Sequence, residues 1–409
     1  MMSSRPSATS PAAAVSSSPA ANTVESDEAF RSAYSICIGK SATNMARLAD
    51  RPMSGAFAAD GNYFNFHEGF FDIGNWTSSF FTGMALLGFE SSKDLALLRE
   101  VNRLAVVYRD KVFVRNMDTM HDLGFLYTLY SVGLFKLTGD LNHRCTGLKA
   151  ADELAKRFVP RGRYIRAWGR MDDAATEYAG LAIIDCMMNL PLLFWASEET
   201  GNDFYADIAR MHADTTLANF LREDDSVYHA FRFDRATGAP ARGENYCGHG
   251  VETQWARGTT WAIYGFALAY RYTKDTRYLE ASRRVARKLL SLLDDTLVPV
   301  WDFRLSEGMP PLLDTSAGAI AVCGFQELLE HDPEDKALAD AALSLLGVLC
   351  ADYVNPDPAC PGILKGAQVG DGLLPGQRLY RARSVYTSWG DYYLMEALAR
   401  HLYGMKSYW

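Results

Sequence analysis

Three things are missing from this sequence. It has no run of five basic residues, no apolar stretch near the ~18 residues that span a bilayer, and no cysteine spacing that marks a disulfide framework. With a net charge of −8, the first absence excludes the basic surface on which nucleic acid or an anionic membrane docks, so neither is expected as a partner. The second leaves no membrane span. "AAAV" near the N-terminus is too short and too interrupted by Ser and Pro for a signal-peptide centre, so a cytoplasmic location is expected. The seven cysteines, at 37, 145, 186, 247, 323, 350 and 360, are odd in number and mostly in apolar, helical contexts, which points to reduced thiols. Common catalytic signatures are missing too. There is no G-x-S-x-G elbow, no phosphate-binding loop and no G-x-G-x-x-G after a strand. Cys247 and His249 sit together in "YCGHG", but four ligands at the spacing of a structural zinc are absent, so no metal and no organic cofactor are expected.

What the chain has is helical periodicity. Residues 1–26 are rich in Ser, Ala and Pro and bury too little to fold, so they are expected to form a disordered tail. Beyond them, "DEAFRSAYSICIGKSATNMARLAD", "SKDLALLREVNRLAVVYRD" and "GLKAADELAKRF" return apolar residues at three- and four-residue steps, while strand-like alternation is nearly absent. A longer repeat overlies this. Segments starting at Leu137, Glu199, Tyr272 and, more faintly, Glu330 each open with a polar turn and continue as an amphipathic helix. Their starts lie 62, 73 and 58 residues apart, room for a helical hairpin and its loops. Between them lie segments apolar nearly all round, such as "AGLAIIDCMMNLPLLFWASEET" and "TTWAIYGFALAYRYT", which read as inner helices. Alternation of outer amphipathic and inner apolar helices, about six times over, predicts an all-α, six-hairpin (α/α) barrel, a toroid with one concave mouth. No Gly-, Pro- or Ser-rich linker interrupts residues 27–409, so one catalytic domain is expected there.

Aromatic residues, 12% of the chain, cluster beside polar groups at the predicted inner helix starts: Trp76 in "GNWTSSFFTG", His229 in "YHAFRFD", Trp255, Arg257 and Trp261 in "ETQWARGTTWAIYG", Ser384 and Ser388 in "SVYTSWGDYY". Aromatic faces pack on sugar rings, and Arg, His and Ser bind hydroxyls or a carboxylate; each Trp could equally be core. Trp255 and Trp261 would not share one helix face, so Trp255 is assigned to the loop entering the helix. Two carboxylates stand out. Asp122 in "HDLGFLYTLY" precedes an apolar run, where an aspartate either caps the helix or does chemistry. Asp185 in "LAIIDCMMNLPLLFW" reads as lying inside an apolar helix, where burial should raise its pKa toward neutrality, as a general acid needs; a buried ion pair is the alternative. A concave aromatic mouth with two aspartates suggests a carbohydrate hydrolase.

The blocks "NWTSSFFTGMALLGFE", "HDLGFLY", "IIDCMMNLPLLFWAS", "WARGTTWAIYGFA", "VPVWDF", "DTSAGAIAVCGFQEL" and "WGDYYLMEAL" occur in the order found in unsaturated glucuronyl hydrolases of glycoside hydrolase family 88, which this chain resembles from about residue 70 to 400. The resemblance implies a six-hairpin barrel and removal of a 4,5-unsaturated uronic acid from the non-reducing end of lyase-generated oligosaccharides. In that chemistry a carboxylic acid protonates carbon 4, water deprotonated by the same group adds at carbon 5, and the hemiketal opens. Asp185 matches the catalytic acid/base and Asp122 the second essential aspartate, taken as the ionised partner that raises Asp185. His229, Trp76, Trp255, Arg257 and Trp261 match the lining of the sugar subsite, with Arg257 directed at the next sugar. One departure stands out. Where the family carries Gln-Gly, this chain has Cys247 and Gly248, and His249 is expected to take over part of the glutamine's role. The stretch from Gly362 to Tyr386 corresponds to the loop over the substrate carboxylate and brings Lys365, Arg381, Arg383, Ser384 and Ser388 near it. An unsaturated rhamnogalacturonyl hydrolase and an α/α-barrel sugar 2-epimerase stand as alternatives.

Overall fold

Four turns in this chain share one design. Ser92-Lys93-Asp94, Thr138-Gly139-Asp140, Thr200-Gly201-Asn202 and Thr273-Lys274-Asp275 each end one helix and start the next. The middle residue is left-handed, at φ 60, 72, 67 and 57°, which stops the incoming helix. The following Asp or Asn then caps the outgoing helix by accepting an N–H two residues on, and the preceding hydroxyl accepts the N–H of the cap itself at 3.1–3.2 Å. Short turns of this kind force antiparallel neighbours, so each one makes a helical hairpin.

The computed structural model describes residues 19–48, 57–59, 62–64, 69–173, 175–369 and 384–409. The hairpins close into a ring. Among the described residues the inner layer is α2 (Ser78–Ser92), α5 (Leu123–Tyr127) running through a π turn into α6 (Gly133–Thr138), α8 (Leu190–Thr200), α10 (Ala256–Thr273), α12 (Thr315–Leu329) and α14 (Ser388–Tyr403), and each touches the next until α14 returns to α2. Around them lie α1 (Pro19–Leu48), α3 (Leu95–Asn102) with α4 (Ala105–Phe113), α7 (Leu141–Ala155), α9 (Asp203–Asn219), α11 (Thr276–Leu290) and α13 (Lys336–Val348). This is the six-hairpin barrel the repeats predict. Inner helices are buried nearly all round; α11, on the outside, buries Leu279, Val285 and Leu289 and turns its arginines to solvent.

Of the Ser/Ala/Pro-rich stretch 1–26, residues 1–18 lie outside the described residues, and the backbone of 19–26 belongs to α1. Strands are few and short. β1 (Phe57–Ala59), β2 (Asn62–Phe64) and β8 (Tyr386–Thr387) form one antiparallel sheet, β3 (Phe158–Val159) and β4 (Tyr164–Ile165) a second, and β5 (Leu181–Ile183), β6 (Ala230–Phe233) and β7 (Pro240–Glu244) a third. The third sheet corrects one expectation. "LAIIDCMMNLPLLFWASEET" is not a single inner helix: it is β5, a 3₁₀ turn over Ile184–Met188, then α8. Paired β-branched Ile183 and Ile184 favour extended backbone, and Pro191, which lacks an N–H, fits only the first helical turn.

Candidate active site

All six inner helices begin at the same end, so whatever stands just before each one faces a common mouth. Trp76 lies ahead of α2, Asp122 is the N-cap of α5, Asp185 lies in the turn before α8, Trp255 is the N-cap of α10, Asp314 of α12 and Thr387 of α14. The sequence expectation that Trp255 enters the helix rather than riding on it therefore holds.

The two aspartates are neighbours. Burial pushes the Asp122 carboxyl up to about 8; the charge of Asp185 adds to the rise, and the buried guanidinium of Arg157 opposes it. Burial likewise pushes Asp185 up to about 6 against the pull of Arg257, and its Oδ2 has no hydrogen-bond partner. Asp185 keeps its side chain 17% exposed, open to a ligand. This reverses one expected role: Asp122, the deeper group, holds its proton to higher pH, and Asp185 is the first of the pair to ionise. Arg157 was not legible in the sequence. Its guanidinium is fixed by the carbonyls of Thr119, Arg166, Ala167 and Gly169, at 2.8–2.9 Å, so its charge is held under Asp122 by two backbone stretches.

A histidine stands by each aspartate. His121 Nε2 is 3.4 Å from Asp122 Oδ1, and His229 Nε2 is 3.8 Å from Asp185 Oδ2. Burial holds both rings neutral, with His229 pushed down to about 3. His229 Nδ1 accepts the Tyr246 N–H at 3.0 Å, so the ring proton sits on Nε2 and points to Asp185. From there the wall continues through aromatic contacts. His229 packs on Trp255 at 4.5 Å, the Arg257 guanidinium lies 4.6 Å over Trp255 and 5.4 Å over Trp389, Trp389 stacks on half-buried Trp76 at 4.8 Å, and Trp76 meets Phe125 of α5 at 5.4 Å.

Other expected site residues fall elsewhere. Trp261 is fully buried between Phe125 and Tyr393 and offers no face to the mouth. Arg257 is not aimed at a second sugar. It pairs with Asp314 at 2.9 Å and donates to the carbonyls of Gln368 (2.8 Å) and Val369 (3.0 Å), anchoring the backbone that leads into residues 370–383. Ser388 is buried and donates to the Thr77 carbonyl, whereas Ser384 is exposed at φ 51°. Lys365 is exposed; Arg381 and Arg383 lie outside the described residues. Cys247 is half-buried near Asp185 and Arg257, and burial pushes its thiol up to about 12, so it is a neutral group beside the pair. His249 turns toward Ser306, with Nε2 at 2.8 Å from the hydroxyl. The loop that carries both is wound around two acceptors. Asn245 Oδ1 takes the N–H groups of Cys247 and Gly248, and Asp302 takes those of His249 and Gln254 together with the Thr253 hydroxyl. Among the described residues no three His, Cys, Asp or Glu side chains are grouped to hold a metal ion.

The buried Arg257–Asp314 pair has a measurable consequence. Arg257→Ala leaves the buried Asp314 charge uncompensated, its Oδ2 and two carbonyls without a donor, so it should lower stability by about 3–5 kcal/mol in urea titration and raise KM through the loosened 368–369 backbone. A loss under ~1 kcal/mol with unchanged KM would contradict the anchoring role.

Residues 65–371 match the family model described as Glycosyl Hydrolase Family 88. A relative from Streptococcus pyogenes serotype M1, named unsaturated chondroitin disaccharide hydrolase, is 37% identical over 350 residues, covering 83% of this chain and 84% of its own length. The solved structure of an unsaturated glucuronyl hydrolase from Bacillus sp. GL1, described as responsible for the degradation of glycosaminoglycan, has a TM-score of 0.84 at 32% identity over 93% of this chain and 98% of that one. A mutant unsaturated glucuronyl hydrolase from Streptococcus agalactiae, solved in complex with dGlcA-GalNAc6S, has a TM-score of 0.75 at 28% identity over 94% and 93%.

Proposed function

The chain belongs to glycoside hydrolase family 88, and on that premise we propose that residues 27–409 act as one catalytic domain that removes a 4,5-unsaturated uronic acid from lyase-generated oligosaccharides by hydrating its double bond. The observation that carries the reading is the pair of buried carboxyls at the starts of two neighbouring inner helices, both pushed toward neutrality. A vinyl ether is protonated at carbon only by an acid that still holds its proton. An ordinary carboxyl is ionised at neutral pH and has none to give.

Asp185, the partly exposed member with an unpartnered oxygen, gives its proton to carbon 4, and positive charge develops at carbon 5 beside the ring oxygen. The Asp185 carboxylate then takes a proton from water as the water oxygen bonds carbon 5, so the group ends as it began. The resulting hemiketal opens to a keto-uronate, and the leaving sugar departs with the glycosidic oxygen. His229, with its proton fixed on Nε2, orients Asp185 or the attacking water. Asp122 is the second proton store. Trp76 and Trp255 supply aromatic faces for the flattened ring. No step calls for a metal or an organic cofactor.

The substrate to test first is an unsaturated chondroitin disaccharide, on the strength of the Streptococcus relatives. Among the described residues no helix is long and apolar enough to cross a membrane, and all seven cysteines are unpaired, which fits action in the reducing cytoplasm. The test is to incubate the purified protein with unsaturated chondroitin, hyaluronan and rhamnogalacturonan disaccharides and follow the near-ultraviolet absorbance of the conjugated double bond. Absorbance should fall with release of a free saturated sugar on the glucuronyl substrates. Turnover of the rhamnogalacturonyl substrate alone would favour the pectin-directed alternative, and no loss on any of them would favour epimerase chemistry.

A further inference from the structure

Among the described residues, most inner and outer helices that begin with Asp or Asn are capped by that residue. Asp94, Asp140, Asn202, Asp275, Asp314 and Asp335 each turn their side-chain oxygen onto an N–H of their own first turn. Two do not, and they are the two at the site. Asp122, the N-cap of α5, makes no capping bond, and neither does Asn189, the N-cap of α8. Yet the first turn of α5 is not left bare. The N–H of Phe125, three residues past Asp122, donates to Asn189 Oδ1 at 2.8 Å. Nδ2 of the same side chain donates to the carbonyl of Asp185 at 3.1 Å. Asn189 is fully buried, and a Cβ on Gly124 would collide with its backbone, so only a glycine lets the two helix starts approach this closely.

We propose that Asn189 is a positioning residue that caps α5 in place of Asp122, leaving the Asp122 carboxylate free to face Asp185, while its amide fixes the turn that carries Asp185. An aspartate has only one carboxylate to place. Bonded to N-terminal amides, it is held ionised by those N–H groups and by the helix dipole. Relieved of that duty, Asp122 instead faces Asp185 and Cys186 from the following turn, His121 from its own loop, Arg157 from the end of α7 and Lys111 from α4. In that company burial keeps its proton on. One asparagine therefore sets both the spacing of the pair and the protonation of its deeper member.

The inference rests on the proposed hydration chemistry, so wild-type turnover of an unsaturated disaccharide is measured first; its absence would defeat that reading and leave the capping geometry to be judged from structure. In Asn189→Ala the freed Phe125 N–H should recruit Asp122. A crystal structure should then show the Asp122 carboxylate turned onto Gly124 or Phe125 N–H, and the alkaline limb of the rate profile should move at least one pH unit lower with kcat affected more than KM. An unmoved Asp122 with a wild-type pH profile would overturn the proposal. Asn189→Asp keeps the oxygen that accepts from Phe125, and its added charge can only help its neighbours hold protons. Its alkaline limb should therefore not fall, and a fall would overturn the proposal even if the alanine variant does not fold.

Discussion

Asp185→Asn should fold as the wild type does and lose turnover by about 10⁴-fold, the upper end of what a positioned acid and base contributes, because one group serves both steps. Folding should survive because the replaced oxygen, Oδ2, makes no hydrogen bond that the fold needs. The same variant should be more stable than the wild type in alkaline solution. The sign follows from the carboxyl being pushed up to about 6: its ionisation penalises the folded state only as pH rises above its unfolded value and fully once the folded group has ionised. Removing a 17%-exposed carboxyl of that kind should add roughly 1–3 kcal/mol at pH 8 and almost nothing at pH 4. Circular dichroism, urea titration at the two pH values and the absorbance assay together check it. Wild-type-like turnover would remove Asp185 from the chemistry.

Asp122→Asn should move the pH profile. Between the two carboxyls the wild type holds two protons below about 6 and none above about 8, so a proton remains available to Asp185 up to the higher value. In the variant Asp185 stands alone and titrates near its own value of about 6. The alkaline limb should therefore fall by about two units, and activity at pH 8 should drop about a hundredfold with a smaller loss at pH 6. A rate-pH curve for kcat at saturating substrate measures this. A uniform loss at every pH would instead make Asp122 a ground-state contact with the substrate.

How much of this was visible in the sequence depends on how far apart the partners lie. The hairpin turns are legible because Thr-Gly-Asp, Thr-Gly-Asn and Thr-Lys-Asp keep the terminator and the next cap in three consecutive residues; Ser92-Lys93-Asp94 uses the same device, with a serine hydroxyl in place of threonine. From sequence Asp122 fits both cap and catalyst, and the structure explains why: it occupies the cap position while Asn189 makes the cap bond. The turn around Asp185 reads as helix in the sequence because continuous apolarity does not separate a buried strand and 3₁₀ turn from a buried helix, and the cue lies in Ile183, Ile184 and Pro191. The partners of Arg257 are hidden for another reason. Its carboxylate is 57 residues away and its carbonyls more than 110, and no local pattern announces such pairings. Arg157 has nearer partners, carbonyls 9 to 38 residues away, but they sit in loops whose path no helical or strand period specifies.

Asp185 delivers a proton to carbon 4 from one side of a bound, unsaturated ring, and the rest of the proposed chemistry depends on that step. Turnover in deuterium oxide followed by proton NMR at early times, before the product exchanges with solvent, tests it most directly. The expected result is one deuterium on a single face of carbon 4 in the keto-uronate and no incorporation above background with Asp185→Asn. Deuterium spread over both faces, or release of an unsaturated uronic acid that rearranges only afterwards in solution, would contradict it.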